Sequence, residues 1–227
     1  MTVHFKVCCI RSADEAALAV AAGAAAVGLV GEMPNGPGQI SDDDIREIAA
    51  SVHRSHGDKI WTALLTSRTD GAAIADHIAA TGVNTVQIVD APASGAYAVI
   101  RKAHAHIRLM QVIHVEDAGA IETARQAAQS VDVILLDSGK PSTAARTLGG
   151  TGDTHDWTIS RQIIEAVRVP VFLAGGLGPD NVAEAVAAVG PYGVDICSGI
   201  RDKTDGYRLV PEKLEAFAGA LGQISPR

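Results

Sequence analysis

The sequence is poor in aromatic and basic residues. Only 4% of its 227 residues are aromatic although 47% are hydrophobic, so Ala, Val, Ile and Leu have to fill the core. The net charge is −7 and no basic stripe is present, which argues against a nucleic-acid partner. This acidity does not exclude a phosphorylated small molecule, because a few local donors can bind a phosphate group.

Cysteine and long hydrophobic segments are also scarce. Three cysteines, two of them adjacent, make a poor disulfide framework. No run of about 18 apolar residues predicts a membrane span. Residues 1–11 lack the apolar stretch and the cleavage site of a secretory signal. We therefore expect a cytoplasmic protein with reduced thiols and no membrane partner.

Short β-branched runs alternate with Ala-rich helical segments along the whole chain. Eight strand-like runs occupy residues 4–10, 26–30, 59–65, 85–89, 107–113, 131–137, 169–174 and 192–198. Each is followed by a segment of helical periodicity, which predicts a parallel sheet with helical crossovers. Eight such repeats favour a closed (β/α)8 TIM barrel of the α/β class over an open sheet. We expect residues 1–227 to form a single domain.

Polar residues at the predicted strand ends are the candidates for a site, because TIM barrels build their active sites there. In chain order they are Cys8, Cys9, Arg11, Arg68, Gln87, Asp90, His114, Glu116, Asp137 and Ser198. Asp137 ends the apolar run VILLD, where burial should raise its pKa and suit it to act as an acid. The alternative is an Asp that caps the next loop. The longest connection, residues 138–155, follows this strand and has the length of a functional lid.

Glycines mark the ends of predicted strands seven and eight. Gly175 and Gly176 follow one strand, and Ser198 and Gly199 begin a predicted short helix after the other. Ordinary turns also use glycine. At these two strands of a TIM barrel, however, free backbone N–H groups favour phosphate binding.

Cys8 and Cys9 are adjacent in one predicted strand. Their side chains would then point to opposite faces, one into the barrel and the other towards the helices. This arrangement disfavours a vicinal disulfide, and no second ligand motif supports a metal site. We expect at most one of the two to take part in chemistry and the other to pack as a small buried residue.

Five segments of the sequence form a specific combination, although each alone is modest. They are KVCCIRS, ILLDS, LGGTGDTHDW, VFLAGGLGPDNVAEAV and GVDICSGIRDKTDG. In this order and at this spacing they resemble the phosphoribosylanthranilate isomerase family of tryptophan biosynthesis. The corresponding family patterns are KICG, LLDS, GGTG..FDW, AGGL.P.NV and GVD.SSGVE. The resemblance covers nearly the whole chain and is densest after residue 130.

The resemblance implies an Amadori rearrangement, the aldose-to-ketose isomerisation of an aminoribose phosphate, without a metal or an organic cofactor. It places the general acid at Asp137 and the general base at Cys8. Asp137 would open the furanose ring by protonating its oxygen, and the Cys8 thiolate would remove the C2 proton of the resulting Schiff base. The phosphate-binding residues implied are Gly175, Gly176, Ser198 and Gly199, and the mobile loop is residues 138–155.

The chain also departs from the family pattern. Gly38 stands where the family has an arginine that contacts the substrate, Cys9 replaces a glycine, and Arg201 replaces a glutamate. The strand-four signature has lost its histidine and its glycine. Further candidates for the substrate pocket are Arg11, Arg68, Gln87, Asp90, His114, Gly150 and His155. Arg11 and Arg68 are the candidates to replace the arginine that is missing at position 38.

Three functions remain open from the sequence. The first is phosphoribosylanthranilate isomerisation in a divergent pocket. The second is a paralogue that isomerises another ribosyl or sugar phosphate, since the departures concentrate at strands two and four, away from the acid, the base and the phosphate loops. The third is a phosphate-binding barrel without turnover, against which the presence of both Cys8 and Asp137 argues. A monomer and a homodimer are both compatible with the sequence.

Overall fold

Eight parallel strands close into a barrel in a computed structural model that describes residues 3–137 and 157–223. Each strand pairs with the next one along the chain, and the eighth returns to the first. The strands are β1 (His4–Val7), β2 (Ala26–Val30), β3 (Trp61–Thr66), β4 (Thr85–Ile88), β5 (Arg108–His114), β6 (Val133–Asp137), β7 (Val171–Leu173) and β8 (Gly193–Ile196). The predicted TIM barrel is confirmed.

Helices connect successive strands on the outside of the barrel. They are α1 (Ala13–Ala21), α2 (Asp42–His56), α3 (Gly71–Thr81), α4 (Ala96–Ala103), α5 (Gly119–Ala127), α6 (Trp157–Ala166), α7 (Val182–Val189) and α8 (Pro211–Gly222). Between β8 and α8 lie the predicted short helix, a 3₁₀ turn at Ser198–Ile200, and a two-stranded sheet of β9 (Arg201–Asp202) and β10 (Arg208–Leu209).

Polar caps determine where the first two helices begin. Ser12 accepts a hydrogen bond from the N–H of Glu15 at the start of α1. Ser41 and Asp44 form a reciprocal capping box at the start of α2, whose first turn is acidic and so complements the helix dipole. These caps end the loops that follow β1 and β2, and both loops border the cavity described below.

Side chains alternate along each strand between the barrel interior and the layer of helices. In β6, Val133 and Leu135 belong to the inner buried cluster, whereas Ile134 and Leu136 belong to the outer one. Asp137 continues the inward set and reaches the cavity at the carboxyl end of the barrel. The same alternation in the other strands brings their last inward residues to this end.

Strand β1 is shorter than the sequence predicts. It ends at Val7 rather than at residue 10, and Cys9 has a φ of 61°, in the left-handed region that favours glycine. The alternation of a strand therefore does not extend to Cys9. The prediction that Cys8 and Cys9 point to opposite faces is wrong, because both line the same cavity.

Two further expectations concern the membrane and the lid. Within the described ranges, no helix combines the length and the hydropathy that crossing a bilayer requires. The predicted lid at residues 138–155, with Gly150 and His155, lies outside the described residues.

Candidate active site

A cavity opens at the carboxyl end of the barrel, where a TIM barrel is expected to carry its site. It encloses about 780 Å³, including its open mouth. The residues that contribute to its wall are Cys8, Cys9, Val30, Met33, Asn35, Gly36, Pro37, Leu65, Gln87, Val89, Val112, His114, Leu135, Asp137, Ala174, Gly175, Gly176, Leu177, Asp195, Cys197 and Ser198. Both residues predicted to be catalytic, Cys8 and Asp137, are among them.

A buried ion pair forms one side of this cavity. Lys6 and Asp195 are direct neighbours across β1 and β8, and the Lys6 Nζ donates to both carboxylate oxygens at 2.9 and 3.0 Å. Burial alone would lower the pKa of Lys6, but the charges of Asp195 and Cys8 raise it above its ordinary value. The ammonium group is therefore charged, and it lies beside Cys8.

The carboxyl group of Asp195 has an unusual environment. Burial raises its pKa to about 7 although Lys6 opposes the shift, and electrostatic interactions with Cys8 and Asp137 act in the same direction as burial. Sequence reasoning missed this ion pair. The available signal was a charged residue at an inward position in each of two apolar strands, HFKV and GVDI.

Three thiols meet at the ends of β1 and β8. The Cys9 Sγ lies 2.8 Å from the Cys197 Sγ and 3.9 Å from the Cys8 Sγ. Hydrogen bonds from Cys197 and from Cys9 hold the pKa of Cys8 well below its ordinary value despite burial, with help from the charge of Lys6. The contact with Cys197 raises the pKa of Cys9, and the contact with Cys8 raises that of Cys197. Of the three thiols, Cys8 is therefore the one whose surroundings favour the thiolate.

The three Sγ atoms all lie within 4.8 Å of one another, close enough to share a metal ion. The charged ammonium of Lys6 beside them opposes a second cation, so we assign no metal to this cluster. Cys197 was missed by sequence reasoning. It follows Asp195 at the next inward position, which was the signal that could have found it.

The loop after β2 packs directly on Cys9. The Cys9 thiol contacts the carbonyl oxygen of Pro37 at 3.6 Å. Gly38 has a φ of 79°, and a Cβ at this position would lie 2.6 Å from the Cys9 Cβ. No larger side chain fits at position 38 without a shift of Cys9, so the sizes of the residues at positions 38 and 9 depend on each other.

The opposite side of the cavity presents two buried acceptors. Among the described residues, the Gln87 Oε1 and the His114 Nδ1 have no hydrogen-bond partner. The His114 Nε2 lies 3.0 Å from the carbonyl oxygen of Val89, so it carries the proton and leaves Nδ1 as an acceptor. A bound ligand with N–H or O–H donors would satisfy both atoms.

The loops after β7 and β8 meet at the cavity wall. Gly175, Gly176 and Ser198 line the cavity, and within the described residues no hydrogen bond takes up their backbone N–H groups. Gly199 does not line it. A Cβ on Gly199 would lie 2.3 Å from the carbonyl oxygen of Leu177, so the absence of a side chain allows the two loops to pack together.

Three further substrate-pocket candidates, Arg11, Arg68 and Asp90, are not among the residues that line the described cavity. Arg11 is exposed and donates to the carbonyl oxygen of Gly206, while Arg68 donates to the carbonyl oxygen of Ala73. Asp90 is half-buried, and its carbonyl oxygen accepts a hydrogen bond from a glutamine of β5. Neither Arg11 nor Arg68 therefore lines the described cavity, where it would have to lie to replace the family's arginine.

Arg201, which departs from the family pattern, binds the backbone of Cys8 from outside the cavity wall. It is 1% exposed and donates to both carboxylate oxygens of Glu15 at 3.0 Å. Its other terminal nitrogen donates to the backbone carbonyl oxygen of Cys8, also at 3.0 Å. This ion pair holds the backbone of Cys8 in place although β1 has already ended.

Comparison with known proteins identifies the family of this barrel. A family model described as N-(5'-phosphoribosyl)anthranilate (PRA) isomerase matches residues 5–209. The chain belongs to this family. An isomerase of the family from Methanosarcina mazei is 36% identical over 208 residues, which cover 91% of this chain and 88% of that protein. One from Haloferax volcanii is 38% identical, covering 86% and 83%. The crystal structure of phosphoribosylanthranilate isomerase from Thermotoga maritima is 26% identical, covers 97% and 98% of the two chains and superposes with a TM-score of 0.78.

These similarities confirm the family predicted from the five sequence segments. They also confirm that the chain is an isomerase of tryptophan biosynthesis. The departures at Gly38 and Cys9 are therefore variations within a family of isomerases, and the question that remains is how the cavity performs the reaction.

Proposed function

We propose that this chain isomerises N-(5'-phosphoribosyl)anthranilate to the corresponding 1-amino-1-deoxyribulose phosphate, with Asp137 as general acid and Cys8 as general base. One observation carries the proposal. A cysteine whose surroundings favour the thiolate and a carboxyl group from another strand line one cavity, beside two loops whose backbone N–H groups have no hydrogen-bond partner within the described residues. Such a combination supplies an acid, a base and a phosphate cradle to a single substrate.

The first step opens the sugar ring. Asp137 protonates the ring oxygen, the bond between this oxygen and C1 breaks, and the nitrogen lone pair forms a C=N bond to C1. The product of this step is a cationic Schiff base. The position of Asp137 as the last inward residue of β6 suits this role, because it brings an acid to the mouth of an apolar strand.

The second step transfers a proton from carbon to sulfur. The Cys8 thiolate removes the C2 proton, the electron pair forms a C1=C2 double bond, and the positive nitrogen becomes neutral. The resulting enolamine tautomerises to the ketone. Lys6 is a positioning residue in this scheme, since its charge and the donors Cys9 and Cys197 keep Cys8 in the thiolate form.

The substrate would lie across the cavity. Its phosphate would bind the N–H groups of Gly175, Gly176 and Ser198, with Gly199 holding the two loops together. The aromatic ring would lie on the opposite, more apolar wall, which includes Met33 and Val89. The buried acceptors of Gln87 and His114 would take hydrogen bonds from the ribose hydroxyls and the bridging N–H.

The test of this proposal is turnover of freshly prepared phosphoribosylanthranilate, followed through the loss of its fluorescence. We expect Cys8→Ser and Asp137→Asn each to lower kcat by about 10²- to 10⁴-fold. Asp76→Asn, on the exposed face of α3, is the matched control and should retain full activity. Wild-type turnover by Cys8→Ser would contradict the proposal.

Gly38 favours a second candidate, a paralogue that acts on a phosphoribosylamine whose ring carries no carboxylate. Neither arginine predicted to replace the missing one lines the described cavity wall. Phosphoribosylaniline, which lacks the carboxylate, separates the two functions. The first proposal expects a higher kcat/KM for phosphoribosylanthranilate, and the second expects equal or higher values for the aniline compound.

Location and assembly complete the proposal. The three free cysteines suit the reducing cytoplasm, where we place the protein. The oligomeric state that we propose is a monomer or a homodimer, and light scattering on the purified protein distinguishes the two.

A further inference from the structure

Two residues in which the chain departs from the quoted family patterns face each other across the barrel seam. The patterns have glycine at the position of Cys9 and serine at that of Cys197, so this chain carries two extra thiols there. The Cys9 Sγ and the Cys197 Sγ lie 2.8 Å apart, closer than two sulfur atoms in van der Waals contact and less than 1 Å from the length of an S–S bond. The scheme above uses them only as hydrogen-bond donors.

We propose that Cys9 and Cys197 form a reversible disulfide in the wall of the cavity, next to Cys8. Both thiols line the cavity, so a small oxidant that enters it reaches them. Cys9 follows β1 and Cys197 follows β8, and these two strands are paired up to Val7 and Ile196. The two residues therefore follow neighbouring strands, and their sulfur atoms are already in contact.

The oxidant is a hydroperoxide, and the third thiol provides the entry point. The Cys8 thiolate attacks a peroxide oxygen, the O–O bond breaks, and Cys8 becomes a sulfenic acid while water or an alcohol leaves. Cys9, at 3.9 Å, then attacks the Cys8 sulfur, and a disulfide forms with release of water. Exchange with Cys197 moves the disulfide to Cys9 and Cys197 and returns Cys8 as a thiol. Two thiols are oxidised and one peroxide is reduced.

The disulfide removes the two S–H donors that stabilise the Cys8 thiolate. Activity at neutral pH should fall about tenfold or more, because hydrogen bonds to a charged group are among the stronger ones. A thiol reductant should restore it. This consequence rests on the proposed role of Cys8 as the base, whereas the cross-link itself is independent of any substrate.

The test is peptide mapping of the full chain treated with hydrogen peroxide at equimolar amount, without prior reduction. Cleavage after Lys and Arg places Cys8 and Cys9 in peptide 7–11 and Cys197 in peptide 169–201. We expect these two peptides to be joined and the free thiols to fall from three to one per chain, with recovery in dithiothreitol. Three unchanged thiols, or oxidation confined to Cys8, would overturn the proposal.

Variants identify the linked pair. In a glutathione disulfide buffer at equilibrium, Cys8→Ser should still join the two peptides, whereas Cys9→Ser and Cys197→Ser should lose the Cys9–Cys197 link. Joined peptides that vanish in Cys8→Ser would show that Cys8 is the linked residue and would refute the assignment. Circular dichroism of each variant before oxidation verifies the fold. A cross-link without any isomerase activity would refute the proposed function and leave this inference intact.

Discussion

The two sides of the cavity differ in the chemical character of their residues. The side of β1 and β8 carries the ion pair of Lys6 and Asp195 and the thiol cluster of Cys8, Cys9 and Cys197. The wall contributed by β2 to β5 is mainly apolar, with two polar acceptors on it. One side is therefore suited to move a proton, and the other to hold and orient a ring.

This difference shows where each kind of substitution should act. Changes at the charged side should alter stability or the ionisation of Cys8, because buried charges depend on one another. Changes at the apolar side should alter substrate binding and leave the chemical step largely intact. The following predictions test this separation.

The largest effect is expected for Lys6→Met. It leaves the Asp195 carboxylate buried without its partner, which should lower the free energy of unfolding by about 3–5 kcal/mol in urea titrations at pH 8. The double variant Lys6→Met/Asp195→Asn should recover part of the loss, since it buries no unpaired charge. Equal stability of Lys6→Met and wild type would contradict a structural role of this pair.

The next effect concerns pH. Hydrogen bonds from Cys197 and Cys9 hold the pKa of Cys8 below its ordinary value of 9.0. Because kcat/KM requires the Cys8 thiolate, the acid limb of its pH profile should lie below pH 9. Cys197→Ala removes the first of these donors, so the pKa of Cys8 rises and the limb should move up by about one to two pH units. The measurement is the pH profile of kcat/KM. A limb that stays in place would show that Cys197 does not act on Cys8.

Gly38→Arg probes the border between the two sides. The left-handed backbone and the contact with Cys9 predict a loss of about 1–3 kcal/mol of stability in urea unfolding, and a loss of activity, although the substitution restores the family pattern. Adding Cys9→Gly removes the clash and relieves the left-handed φ of Cys9, so the double variant should be more stable than Gly38→Arg alone. Additive effects of the two substitutions would show that they are not coupled.

The smallest effect is expected on the apolar side. Gln87→Leu removes a buried acceptor and should raise KM about threefold to tenfold with little change in kcat, because its hydrogen bond would form in both the ground state and the transition state. Arg11→Ala, outside the cavity wall, is the control and should leave KM unchanged within about twofold. A selective loss of kcat in Gln87→Leu would place it on the chemical side instead.

Much of this site follows from local sequence. The run VILLD predicts a strand that ends in Asp137, and the structure has that strand at Val133–Asp137. Gln87 and His114 are similarly predicted at strand ends and line the cavity. These predictions succeed because the period of a strand and the shared direction of parallel strands determine which end each residue reaches.

Other features depend on contacts between distant segments. The local sequence pattern predicts that β1 continues through Cys9, but the strand ends at Val7. Arg201 contacts Glu15 and the backbone of Cys8, which are more than 180 positions away in the chain. Arg11 and Arg68 lie at the carboxyl end of the barrel, as predicted. Their side chains, however, donate hydrogen bonds to backbone carbonyl oxygens and do not point into the cavity.

The sequence by itself determined the eight strand–helix repeats, the family, and the positions of Cys8 and Asp137, because periodicity and motifs are local properties. Only the tertiary structure decided that Lys6 pairs with Asp195, that Cys9 turns toward Cys197, and that Gly38 lies against Cys9. Each of these depends on the closure of the barrel between β1 and β8 or on the packing of one loop against another. Distances between segments so far apart in the chain are not encoded in any local pattern.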